Sequence, residues 1–258
     1  MNDLLTVSHL SRTYHAENGE VRALEDLSFS VAPGEFLGIV GPSGCGKSTL
    51  LSLIAGLDQP SGGDILLDGA PLGQQSLKVG YMLQQDELLP WRSIWNNVLF
   101  GLELQKNRTD EMKAYAKKLL TSYGLWEFRD KYPDQLSGGM RQRAALCRTL
   151  AVRPRVLLLD EAFSALDYQT RLRVTQDVSR ILRKEQMTTL MVSHDIAECI
   201  SMSDRILLLT PRPGRLRTIH TPDFGGEDLT PLQRREHPAF QKSFQYLWKE
   251  LNQDEPIA

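Results

Sequence analysis

An α/β fold built on a mostly parallel sheet is predicted by three observations on this sequence. Short apolar runs recur through its 258 residues, and several are followed by segments of helical period. One such junction carries Gly41-Pro42-Ser43-Gly44-Cys45-Gly46-Lys47-Ser48-Thr49, which matches G-x-x-x-x-G-K-[ST]. An apolar run at 36–40 precedes it and a helical pattern (Leu50, Leu51, Leu53, Ile54) follows, as a strand, a phosphate-binding loop and a helix should in a P-loop NTPase core. From Trp91 to about Leu150, helical periodicity replaces the glycines and β-branched runs, which predicts an inserted α-helical lobe.

In chain order, residues 4–10 and 23–31 alternate apolar and polar side chains as half-buried strands do, with a turn expected at 15–20 and Tyr14 closing the first strand. Gln59-Pro60-Ser61-Gly62-Gly63 ends the helix after the loop, 64–67 reads as a short strand, and Asp68-Gly69 as a turn. Another strand at 79–83 runs into Gln84-Gln85, so this half should be sheet-rich and wrapped against the P-loop helix. Helices are expected over 93–104 and 110–122. Pro133 and Asp134 then break the pattern, and Ser137 is placed to cap a helix through Arg141, Ala145 and Leu150. A buried strand at 155–160, a helix at 168–185, a strand at 188–193, a short helix from Asp195 and a strand at 205–209 complete the alternation. Residues 1–210 form the expected main domain. Beyond it, Pro211-Arg212-Pro213-Gly214 reads as a rigid turn, 221–230 as loop, and 238–252 as an amphipathic helix with Phe240, Phe244, Leu247, Trp248 and Leu251 on one docking face. Residues 211–258 are thus a C-terminal extension.

Composition narrows the function. Hydrophobic residues at 41% and charged ones at 24% suit a packed globular chain, and a net charge of −2 gives no general electrostatic reason to bind nucleic acid. No apolar run approaches the ~18 residues of a membrane-spanning helix, and Met1-Asn2-Asp3-Leu4-Leu5 lacks the basic start of a secretory leader, so a cytoplasmic protein is expected. Cys45, Cys147 and Cys199 show no metal-type spacing.

Three motifs carry chemistry. The glycines of 41–49 let backbone N–H groups close on a phosphate chain, Lys47 reaches the β- and γ-phosphates, and Ser48 offers a hydroxyl to Mg²⁺. Val156-Leu157-Leu158-Leu159-Asp160-Glu161 is an apolar strand ending in two carboxylates. Asp160 is placed to hold Mg²⁺ through water, and Glu161 to polarise a water aimed at the γ-phosphate. Leu136-Ser137-Gly138-Gly139-Met140 puts a serine and two glycines at a helix start, a second anion-binding nest with no lysine of its own.

With that third motif the chain resembles an ATP-binding cassette (ABC) ATPase, the nucleotide-binding subunit of a membrane transporter, over about residues 4–209. GTPases, kinases and helicases share the P-loop without the Ser137-Gly138-Gly139 signature. Met140 stands where the commonest family form has Gln, which leaves the Ser-Gly-Gly donors untouched. The resemblance implies an antiparallel β-subdomain, a RecA-like core and a helical subdomain. It further implies that Tyr14 stacks on adenine and that Gln84, chosen over Gln85 by its spacing to Leu88-Leu89-Pro90-Trp91, senses Mg²⁺ and the attacking water. Ser164-Ala165-Leu166-Asp167 would cross to a partner cassette, and His194 would contact the γ-phosphate. Two cassettes, a homodimer by expectation, would clamp each ATP between one P-loop and the other's Ser137-Gly138-Gly139. They would drive an integral-membrane permease from the inner face of the cell membrane, with a separate substrate-binding protein selecting the cargo. Residues 88–94 and the tail Pro211-Arg212-Pro213-Gly214-Arg215 resemble the nitrate, sulfonate and taurine importers.

Two other classes fit less well. A cassette ATPase working on ribosomes or DNA usually has two cassettes or a long coiled coil, and here there is one cassette with no sustained heptads. A small-molecule kinase would not need the signature or Glu161. The apolar stretch Leu88, Leu89, Pro90, Trp91, Ile94 and Trp95 either seals the helical lobe against the core or floors a groove for a permease helix.

Overall fold

The computed structural model describes residues 3–16, 19–74 and 78–253. Strands β1 (Leu5–Ala16) and β2 (Gly19–Val31) pair antiparallel and are longer than their alternation suggested, because β1 continues past irregularities near His9, whose φ is 51°. Glu17 and Asn18, the middle of the expected turn, lie outside the described residues, as do Met1 and Asn2. After β3 (Phe36–Val40) and α1 (Lys47–Ile54), β4 (Gly62–Leu67) and β5 (Ala70–Pro71) complete a four-stranded antiparallel sheet in the order β2-β1-β4-β5.

The second sheet has six strands. β6 (Val79–Met82), β7 (Val156–Asp160), β8 (Thr188–Val192) and β9 (Arg205–Leu209) run parallel with β3, and β10 (Leu216–His220) adds an antiparallel edge, in the order β10-β9-β3-β8-β7-β6. Successive side chains of a strand point to opposite faces, and here both faces are buried. Phe36, Val40, Leu157, Leu159, Met191, Ile206 and Leu208 pack into one core, while Leu37, Ile39, Val156, Leu158, Leu190, Val192, Leu207 and Leu209 pack into the other with α1 and the antiparallel sheet.

The first of those cores also takes in the helical region. α4 (Asp110–Ser122, capped by Thr109) covers its expected range, and α5 (Gly138–Ala151) starts on the expected Ser137 cap. The single helix expected over 93–104 is instead two short ones, α2 (Ile94–Val98) and α3 (Phe100–Leu104), joined at Leu99. Gly101 lets α3 approach closely, since a Cβ there would lie 2.6 Å from Val152 Cγ1. Fully buried Asn97 ties the preceding loop to α2: its amide accepts from Leu89 N (2.8 Å) and donates to the carbonyls of Leu89, Arg92 and Ser93.

α6 (Tyr168–Lys184) and α7 (Ile196–Met202, capped by Asp195) occupy their expected places. The tail holds more structure than its sequence announced. Besides β10 there is α8 (Pro231–Glu236), started by a Thr230–Gln233 capping box, before α9 (Pro238–Leu251). Phe240, Phe244, Leu247 and Leu251 dock on the core as expected, but Trp248 is 55% exposed and only stacks along Phe244, because its position falls at the edge of the apolar stripe.

Candidate functional site

Gly46 is the residue on which the phosphate loop turns. Its φ of 105° suits glycine alone, and a Cβ would lie 2.8 Å from the Ala23 carbonyl, so any side chain would push the loop off β2. Lys47 and Ser48 thereby become the first residues of α1, whose opening N–H groups have no partner within the helix and point into the loop. Lys47 is buried, and its ammonium donates to the carbonyls of Gly41 (2.8 Å) and Pro42 (3.0 Å), which arches the loop over it. Cys45 lies against the same ammonium; burial pushes its thiol up and Lys47 pulls it back.

β7 delivers Asp160 beside this helix. Its Oδ1 accepts from Ser48 Oγ (3.2 Å) and its Oδ2 from the Tyr81 hydroxyl (2.9 Å). Burial raises the Asp160 pKa, the Tyr81 and Ser48 hydrogen bonds oppose that, and the charge of Glu161 adds to it. Burial and the neighbouring Asp160 charge likewise raise the Tyr81 phenol. Among the described residues, no three His, Cys, Asp or Glu side chains converge as a metal cage. A carboxylate and a hydroxyl 3.2 Å apart fit Mg²⁺, a hard ion that takes one or two protein oxygens and completes its shell with water and phosphate.

Glu161 follows the strand with φ 46°, in the left-handed region, which turns its side chain back toward the loop. Its Oε2 lies 3.1 Å from His194 Nδ1, the residue after β8 and Ser193. From the other side, Gln84 Nε2 donates to Ser164 Oγ (3.2 Å), which donates to the Glu161 carbonyl (2.9 Å). Gln84, Glu161 and His194 are therefore linked, and Gln85 takes no part in that chain. Tyr14 shares a cavity of about 380 Å³ with Ser43, Gly44, Gly46, Lys47, Ser48, Thr49 and Glu161. One face of its ring carries the Arg12 guanidinium at 4.4 Å, and its hydroxyl donates to Asp58 (2.9 Å).

The signature residues stand apart from that cavity. Ser137 caps α5, Gly139 is buried where a Cβ would lie 2.9 Å from Thr170 Cγ2, and Gly138 lines a separate cleft with Gln84, Arg141 and Leu166. Asp167 caps α6 by accepting from Thr170 N (3.0 Å). Sequence reasoning missed Tyr81, which lies mid-strand in no motif, and the place of Arg212 at the cavity, since its Pro-Arg-Pro-Gly context announces only a turn and part of an importer-like tail.

A parallel sheet with a P-loop at one strand end, a paired Asp–Glu at another and a separate Ser-Gly-Gly helix start define an ATP-binding cassette. A family model for the ABC transporter matches residues 24–164, more than half the chain. The chain belongs to that family, as an ATP-binding, ATP-hydrolysing subunit. It is 49% identical to the uncharacterised ABC transporter ATP-binding protein YtlC of Bacillus subtilis over 96% of this chain and 95% of that one. It is 40% identical to the nitrate import ATP-binding protein NrtD of a Synechocystis strain, covering 89% of this chain and 86% of that one. For the taurine import ATP-binding protein TauB of Yersinia pestis the figures are 43%, 83% and 82%. Among solved structures, the ATP-binding cassette MJ0796, a dimer bound to ADP and Pi after hydrolysis, superposes with TM-score 0.72 at 29% identity, covering 84% of this chain and 98% of that one.

Proposed function

We propose that this cassette powers an importer, working as a homodimer against an integral-membrane permease whose cargo arrives on a separate substrate-binding protein. The observation that carries the dimer is the separation of Ser137-Gly138-Gly139 from the P-loop cavity of the same chain, which leaves each nest with only part of a triphosphate's partners. The dimeric MJ0796 cassette supports it. The nitrate and taurine import relatives support the direction of transport.

In this reading Gly41, Pro42, Ser43, Gly44, Cys45, Gly46, Lys47, Ser48 and Thr49 wrap the β- and γ-phosphates while Tyr14 stacks on adenine with its free face. Ser48, Asp160 and Gln84 would hold Mg²⁺, which would supply positive charge to neutralise the phosphates. Glu161 takes the proton of the attacking water, and His194, held 3.1 Å from it, keeps the carboxylate aimed and meets the γ-phosphate. The partner copy's Ser137, Gly138 and Gly139 close the other side of the phosphate chain, with Asp167 ending the loop that crosses between copies.

A groove of about 630 Å³ supplies the permease surface. Leu57, Val79, Leu89, Phe100, Leu104 and Val152 give it apolar walls, and Leu57 and Leu104 are 72% and 67% exposed. The expected groove floor at 88–95 divides: Leu88 and Ile94 are sealed in the core, Trp95 packs edge-on to Trp126 at 5.5 Å, and Trp91 projects into solvent outside the groove. Only Leu89 lines it. Among the described residues no helix is long and apolar enough to cross a membrane. In this reading the permease supplies the spans and this chain docks on it from the cytoplasmic face.

Nucleotide titration of Lys47→Ala tests the site. ATP affinity should be lost while circular dichroism is kept, since the Lys47 ammonium spans the loop and is no part of the apolar core. Unchanged ATP affinity in a folded variant would remove the P-loop reading.

A further inference from the structure

We infer that Arg212, on the first turn of the C-terminal extension, is a nucleotide-binding residue that places a second cation on the phosphate chain. The inference rests on the P-loop cavity being the ATP site. Arg212 lines that cavity together with Tyr14, Ser43, Lys47 and Glu161, although it lies 168 positions from the loop it touches. Its Nε donates to the Gly44 carbonyl (3.1 Å), and its Nη2 would lie 3.3 Å from a Cβ built on Gly44, so the guanidinium is laid over the loop itself.

The position is built, not incidental. Gly214 N donates to the Ala23 carbonyl (3.0 Å) and Glu25 N to the Gly214 carbonyl (3.0 Å), which pairs the turn with β2 beside the P-loop. Gly214 approaches so closely that a Cβ there would overlap the Cys45 carbonyl. Arg215 adds an ion pair to Glu25 (2.8 Å). Thr210 Oγ1 donates to the Pro211 and Pro213 carbonyls and accepts from Arg215 N (3.0 Å), which holds the turn from inside. A turn fixed at this many points fixes the base of the Arg212 side chain, and the Nε bond fixes its tip.

That bond uses one of five guanidinium N–H groups. Among the described residues, neither Nη of Arg212 bonds or ion-pairs with the protein, so a fork of donors faces the cavity. Phosphate and carboxylate both match that fork, and the P-loop residues that line the same cavity select phosphate. Lys47 is buried and bonds the Gly41 and Pro42 carbonyls, whereas Arg212 bonds the Gly44 carbonyl; the two cations line the same cavity from different parts of the loop.

Arg212→Gln is the test, because glutamine keeps an amide that can reach a carbonyl while the charge and the fork are lost. ATP and ADP are titrated at low and high salt into the wild type, Arg212→Gln, Arg212→Lys and Lys47→Ala, with thermal melts for each. We expect Arg212→Gln to melt like the wild type and to lose about tenfold or more in affinity for both nucleotides. Its affinity should also vary less with salt, since one phosphate-facing charge is gone, and Arg212→Lys should recover part of both. Wild-type affinity and salt dependence in Arg212→Gln, with binding abolished in Lys47→Ala, would overturn this inference and leave the P-loop site standing. A wild type that binds neither nucleotide would instead remove the site on which the inference rests.

Discussion

At the scale of single residues, Glu161 carries the most weight in the proposed mechanism. A non-glycine residue at φ 46° is strained, and that strain is held by neighbours that the proposal also places in the reaction. Ser164 grips its carbonyl, Gln84 grips Ser164, and His194 faces its carboxylate. Glu161→Gln keeps the shape and the left-handed backbone but removes the basicity. Its ATP affinity should stay near that of the wild type while the hydrolysis rate falls by at least ~10²-fold, the usual cost of losing a general base. Steady-state phosphate release and nucleotide titration on the same preparation measure the two quantities. Size exclusion with ATP should then show the variant accumulating as a dimer. Hydrolysis at the wild-type rate would reduce Glu161 to a strand end.

At the scale of elements, α7 connects the histidine to the extension. Asp195 caps it by accepting from Ala197 N (2.8 Å) and Glu198 N, one residue after His194. Its far end is clamped by Arg234 of α8, which donates to the Ser203 carbonyl (2.7 Å), and by Arg183 of α6, which donates to the Met202 carbonyl (3.1 Å) and to Asp204. Within the helix, Glu198 is buried and accepts from Ser193 Oγ, while its Oε1 has no hydrogen-bond partner among the described residues. Burial raises its pKa, and Asp195 adds to that; Ser193, Arg171 and Arg235 oppose it. A carboxyl whose folded pKa lies above its unfolded one holds its proton more tightly in the native state, so its contribution is present at low pH and is lost as pH rises through the folded value. Glu198→Gln cannot titrate. The melting temperature of this variant relative to wild type should therefore climb as the pH rises above the ordinary carboxyl value of about 4.5. A difference that stays flat with pH would mean that Glu198 titrates alike in both states.

At the scale of the whole molecule, the loop after β6 joins the site to the groove. Gln84 touches Ser164 at the site end, while Glu87 and Leu89 line the groove at the other. Between them, α5 pins the loop: Arg141 pairs with Asp86 (2.9 Å), and Arg148 donates to the carbonyls of Asp86 and Glu87. Since Ser137 caps that same helix, the signature, the Gln84 loop and the groove are tied together through α5. Leu104→Glu puts a charge on an apolar wall far from the P-loop cavity. It should leave ATP affinity intact while cutting recovery of the permease from membranes by at least about tenfold, whereas Trp91→Ala, outside the groove, should cost less. Equal recovery of permease by wild type and Leu104→Glu would send the groove back to being unoccupied surface.

The motifs that could be read directly are those in which neighbouring residues act together. The 41–49 loop, the 156–161 strand end and the Ser137 cap each depend on backbone geometry set within a few residues, so spacing alone located them. The alternation of strands and helices was legible for the same reason, because burial of a strand on both faces leaves an unbroken apolar run such as Val156 to Leu159. Tertiary structure alone decided contacts between residues far apart in the chain. Tyr81 meets Asp160 across 79 positions and Arg212 meets Gly44 across 168, and no local pattern records either. β10 was hidden because an edge strand with one free side needs no continuous apolar run. Leu88, Leu89 and Trp91 are alike in composition, yet one is core, one is groove wall and one is solvated, because packing assigns each side chain a direction that its hydrophobicity does not contain.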